Sequence, residues 1–214
     1  MDDEPHVITR REALKQVGIA SAAAAVPVDA LAQAAAPVRG PLDTLTPAEA
    51  DTLDAIVARL IPTDGNGPGA TEARAAQYID RALGGALAQF RAAYGIGLPA
   101  VDAYARTSKG AAFARLSPEN QDAVLADLER NVGFPAAAVF FNLVLSHTIQ
   151  GTFCDPFYGG NDRFVGWDLI GYPGVRLAAT PNDQRTETAP AATHMSAYDY
   201  RMFSSKKPET RNGR

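Results

Sequence analysis

Cysteine is nearly missing from this chain. Cys154 is the only one in 214 residues, so no disulfide can form within a single copy. Histidine is almost as scarce, at three: His6, His147 and His194. No two of these side chains stand at the spacing of metal ligands, which leaves zinc and haem sites unsupported, and one thiol cannot hold an iron–sulfur cluster alone. Charge of either sign is modest: 20 Lys and Arg against 24 Asp and Glu give a formal net charge of −4. There is neither a basic stripe suited to nucleic acid nor an acidic block. No segment alternates with period two over any length, which argues against a sheet. No apolar run reaches the ~20 residues a membrane span needs.

What is present begins with Thr9-Arg10-Arg11-Glu12-Ala13-Leu14-Lys15, followed by an alanine-rich apolar stretch over residues 17–28. Paired Arg10 and Arg11 before a weakly hydrophobic segment form the pattern of a twin-arginine export signal. Small residues suited to cleavage follow in Ala30-Leu31-Ala32 and Ala32-Gln33-Ala34. Ala13 stands where a bulkier residue is usual. Pro27 and Asp29 interrupt the apolar stretch, which argues against an anchor. The expectation is export in the folded state and work in the periplasm or at the periplasmic face of the inner membrane. Removing residues 1–34 leaves about 180, enough for one domain with a real core. An exported compartment is oxidising, so Cys154 is either a buried, inert thiol or half of a disulfide to another chain.

Residues 35–45, with Pro37, Gly40 and Pro41, read as a linker. Thr46-Pro47-Ala48-Glu49 is a helix start, with a capping threonine, proline in the first turn and a glutamate three residues after the cap. Leu53, Ile56, Val57, Leu60 and Ile61 follow at helical spacing until Pro62. The glycine-rich residues 63–69 form a loop; without a following Lys-Ser/Thr they are no phosphate loop. A second helix is predicted over 71–94 with a kink or break at Gly84-Gly85, and a third over 97–108. Ser117-Pro118-Glu119 starts a fourth, whose inner face is Val124, Leu125 and Leu128. Gly133 and Pro135 break the chain before a helix over 136–150 that is apolar nearly all round, suited to a core or a partner. The predicted fold is all-α, an irregular orthogonal bundle of five or six helices over residues 46–174, ending in a long irregular C-terminal segment.

Residues 151–174 are rich in glycine, aromatics and aspartate, and a long irregular segment of this kind is usually functional or bound to something. Residues 175–214 are polar, yet they bring Met195, Tyr198, Tyr200, Met202 and Phe203 close together. Large apolar side chains without a core of their own suit a second chain. The expected partner surface comprises Phe153, Cys154, Phe157, Tyr158, Trp167, Tyr172, Tyr198, Tyr200 and Phe203. Catalytic constellations are not found: Ser146-His147 has no nucleophile elbow around it. The alternative is an independent exported enzyme or metal-binding protein in which Asp155, Asn161 and Asp162 ligate calcium from the 155–162 loop, although the spacing is no EF-hand.

Four stretches, in order, resemble the gluconate 2-dehydrogenase subunit 3 family. They are Leu45-Thr46-Pro47-Ala48-Glu49 with its helix ending Arg59-Leu60-Ile61-Pro62-Thr63-Asp64, then Gln77-Tyr78-Ile79-Asp80, then residues 140–151. Last come Asp155-Pro156-Phe157-Tyr158-Gly159-Gly160-Asn161 and Trp167-Asp168-Leu169-Ile170-Gly171-Tyr172-Pro173-Gly174. The resemblance implies a non-catalytic small subunit that escorts and stabilises a large glucose–methanol–choline-type partner. That partner binds FAD, with an iron–sulfur cluster as a further candidate group, and oxidises a sugar or sugar acid. A cytochrome c subunit with haem c takes the electrons onward. The resemblance assigns this chain no catalytic residue, cofactor or metal of its own.

Overall fold

A computed structural model describes residues 40–181, 183–185 and 189–204. The expected export signal at 1–34 and the expected linker up to residue 39 lie outside them. The described part is all-α, with no strand among the described residues.

Helix α1, Pro47–Leu60, starts where the sequence places it. Thr46 Oγ1 accepts from the Glu49 amide at 3.3 Å, and Glu49 Oε2 accepts from the Thr46 amide at 2.8 Å. The box satisfies two of the donors that a helix start leaves open. The single helix predicted over 71–94 is two. Helix α2, Ala75–Leu83, stops at Gly84-Gly85, and a 3-10 turn, Ala88–Phe90, leads into α3, Arg91–Lys109. Two adjacent glycines end the helix instead of bending it, because each is costly inside a helix and free to turn. Helix α3 absorbs the predicted third helix and runs through Pro99. Ser117 caps α4, Pro118–Glu129. Helix α5, Ala137–Phe153, extends a turn past the predicted end. A short α6, Val165–Leu169, and a terminal turn, α7 at Arg201–Ser204, complete the described helices.

Helix α5 packs against α1, α2, α3 and α4. The core between them is built from Leu53, Val57, Ile79, Tyr94, Leu98, Val101, Phe113, Val124 and Val144, all buried. Helices α3 and α5 approach closely because Gly97 has no side chain: a Cβ there would lie 2.3 Å from the Phe140 ring. The last residues of the expected linker belong to this body. Asp80 on α2 is 4% exposed, and its carboxylate accepts from the amides of Asp43 (2.7 Å), Thr44 (3.0 Å) and Leu45 (2.6 Å). Thr44 Oγ1 donates back to the Asp80 carbonyl. Three amides converging on one buried carboxylate fix the entry of the chain into α1.

Gly97→Ala is expected to lower stability by about 1–3 kcal/mol through overpacking against Phe140. Gly95→Ala, whose Cβ would meet the ends of the Arg91 and Glu49 side chains and no backbone, is expected to cost less than Gly97→Ala, helix propensity offsetting the contact by about 0.5–1 kcal/mol. Urea unfolding of the two variants measures both.

Candidate functional site

The segment flagged in the sequence forms a clasp at the C-terminal end of α5. Its centre is Asn161, which is 0% exposed and sits in the left-handed region at φ 46°. Its side-chain oxygen accepts from the amides of Gly166 at 2.7 Å and Trp167 at 3.3 Å, capping α6. Its side-chain nitrogen donates to the Cys154 carbonyl at 2.9 Å, just past the end of α5. Its own amide donates to the Gly151 carbonyl at 2.8 Å. One side chain therefore joins the end of one helix to the start of the next. The neighbouring glycines are required by contact. A Cβ at Gly160 would lie 2.1 Å from the Gly151 carbonyl oxygen, and one at Gly166 would lie 1.9 Å from that of Thr152. Trp167 is buried, donates its indole N–H to the Phe153 carbonyl at 2.9 Å and meets Tyr172 edge-on.

The second part of the clasp is a strap, residues 193–200. It lies beside residues 173–175 through Thr193 N–H to Pro173 O and Val175 N–H to Met195 O. Asp155 anchors it: Oδ1 accepts from Ser196 Oγ at 2.6 Å and Phe157 N at 3.0 Å, and Oδ2 from Ala197 N at 2.8 Å. Tyr198 stacks on Phe157, and its hydroxyl meets that of Tyr158 at 2.9 Å. That bond raises the Tyr158 phenol to about 12. Tyr200 donates to the Val175 carbonyl. His194 contacts Asp168 at 2.7 Å and stacks on Phe164.

Of the aromatic residues expected on a partner surface, Trp167 is enclosed by its own chain. Phe153, Phe157, Tyr198 and Tyr200 are half-buried in it, while Tyr158, Tyr172 and Phe203 remain exposed. Part of the tail thus finds its packing within the chain, where the sequence suggested a second one. Cys154 is half-buried with its thiol against the Gly151 carbonyl, and burial pushes it up to about 11.

The calcium alternative loses its ligands. Both Asp155 oxygens and the Asn161 oxygen are engaged by chain donors, and Asp162 faces Arg74 and Arg163. Among the described residues no group of three or more His, Cys, Asp or Glu is placed to hold a metal ion. His147 is a core histidine, 3% exposed, hydrogen-bonded through Nδ1 to the Tyr94 hydroxyl at 3.0 Å and stacked on that ring. A cleft of about 540 Å³ between α1 and α3 has no unengaged carboxylate: Glu49 pairs with Arg91, and Asp102 pairs with Arg106 and the Phe113 amide. The Asp80 clamp, the Tyr94–His147 pair and the Asp168–His194 contact were invisible in the sequence, since their partners lie 26 to 53 residues apart.

The family model described as gluconate 2-dehydrogenase subunit 3 matches residues 47–174. The chain belongs to this family. The match opens on the first residue of α1 and closes at Gly174, so it takes in the bundle and the Asn161 clasp and stops short of the strap. Neither a curated protein nor a solved structure gives a match. As a gluconate 2-dehydrogenase subunit 3 protein, the chain is one component of a dehydrogenase complex and has a catalytic partner. The motif that carries the family resemblance is, in this chain, the joint between α5 and α6.

Asn161→Ala is expected to cost about 2–4 kcal/mol, since it strands two buried amides and a carbonyl; urea unfolding would show it. Burial holds His147 below its ordinary 6.5. The unfolded chain therefore binds a proton that the native one refuses, and stability falls as pH drops below about 6.5, by at most ~1.4 kcal/mol per pH unit. Thermal midpoints between pH 7 and pH 5 are expected to fall less steeply in His147→Gln than in the wild type.

Proposed function

We propose that this chain is the non-catalytic small subunit of a flavin-dependent dehydrogenase that oxidises a sugar or sugar acid, gluconate being the family's namesake. In this reading it leaves the cytoplasm folded through the Arg10-Arg11 signal, taking a large FAD-binding partner of the glucose–methanol–choline type with it, and stabilises that partner in the periplasm. A cytochrome c subunit receives the electrons, and an iron–sulfur cluster, where one is present, belongs to the large subunit.

Family membership over residues 47–174 is the observation that carries the proposal. Two features support the non-catalytic part. The polar residues of the most distinctive motif are engaged in holding the fold together. Among the described residues the one buried histidine, His147, is bonded to a tyrosine and has its pKa lowered by burial, away from any ligand-facing surface. Cys154 is read as a half-buried, unreactive thiol, supported by its contact with Gly151 and its raised pKa.

Co-expression of the large subunit with the wild-type chain and with an Arg10→Lys/Arg11→Lys variant tests the escort role. The large subunit is expected in the periplasmic fraction with the wild type and in the cytoplasm with the variant. Its arrival in the periplasm with both would contradict the proposal.

A further inference from the structure

Of the five described helices longer than eight residues, α5 alone has no Asp, Glu, Lys or Arg: its sequence is AAVFFNLVLSHTIQGTF. One side of it is core. The other is open, with Val139 at 70% and Ile149 at 46% exposure, Asn142 and Ser146 between them and Gln150 beside Ile149. Ile96, 74% exposed, follows the same boundary, because its neighbour Gly97 and Val139's neighbour Phe140 touch where α3 crosses α5. Charged side chains normally solvate the outer face of a surface helix. Their absence over a full 17-residue helix needs an explanation in binding. The polar side chains on this face are exposed, and two of them bond within the helix: Asn142 donates to the Ala138 carbonyl at 2.8 Å, and the Gln150 amide nitrogen reaches Ser146 Oγ at 3.5 Å. A partner that covers the face has to meet their remaining donors and acceptors.

We infer that the open face of α5, with Ile96 at its edge, is the docking surface for the large catalytic subunit. The inference rests on the reading of the chain as a dehydrogenase subunit and names the surface that reading requires. Area decides between a larger partner and a second copy. A helix of this length presents a strip about 25 Å long and about 10 Å wide. Two copies paired along it would bury about 500 Å², well below the ~1,200 Å² at which specific, stable interfaces begin. A contact that reaches the threshold has to extend past the helix to Ile96 and the flanking surface, and the family implies a catalytic partner to supply it. Its side of the contact must be uncharged too, because a lone charge placed against this face would be buried without a partner.

The test is affinity purification of the tagged full-length chain co-expressed with the large subunit. Val139→Lys and Ile149→Lys change exposed positions, and both variants are expected to keep the wild-type thermal midpoint to within a few degrees. Each is expected to reduce the co-purified large subunit by about tenfold or more, while Leu177→Lys, at an exposed position elsewhere, retains it. Wild-type recovery of the large subunit by both α5 variants would overturn the α5 face and leave the subunit reading standing. A wild-type chain that brings down no large subunit would overturn that reading itself. A photocrosslinking benzophenone amino acid at position 139 gives a second readout. Crosslinks to the large subunit support the face, and crosslinks to a second copy of this chain overturn it.

Discussion

Asn161 is the interaction on which the C-terminal third of the described structure depends. A helix end leaves carbonyls open and a helix start leaves amides open. Here one buried amide side chain serves both, accepting from α6 and donating to the carbonyl just past α5. This works only at very short range, so the residues around it must be glycine: Gly151, Gly160 and Gly166 each stand where a Cβ would press on neighbouring atoms. Trp167 then closes over the joint and Asp155 fastens the strap to it. A segment rich in glycine, aspartate and aromatics suggests a ligand site. In this chain it is a fastening.

Helix α5 gives that fastening something to act on. It contacts the other four long helices with one side, leaves the other open, and hands its C-terminal end to Asn161. The two roles of α5 are separable in space: the joint lies at its last turn, and the uncharged face lies along its length. In the proposed reading, the joint holds the helix from behind while its open face docks on the partner.

Local signals were legible and distant ones were not. The starts of α1 and α4 could be read to the residue, because capping and proline act within four positions. The break at Gly84-Gly85 was visible, but whether it would bend or end the helix was not, since that depends on how α2 and α3 pack. The aromatic residues of the tail were expected to find cover on a second chain, and the sequence could not say that Tyr198 would stack on Phe157, some forty positions away. Asp155 and Asn161 were singled out as oxygen atoms on a glycine-rich turn that could ligate calcium, and the hydrogen-bond partners that engage them were beyond reach of any pattern. Asp80 lay inside a motif that carried the family resemblance, yet its role as the clamp on residues 43–45 appears only in three dimensions.

The measurement that bears most directly on this account is a structure of the intact complex purified from its native cells. The account predicts Val139 and Ile149 buried under the large subunit, and the Asn161 joint intact and remote from the flavin. A complex in which α5 faces solvent while the Asp155–Asn161 turn lies open against the flavin would contradict it.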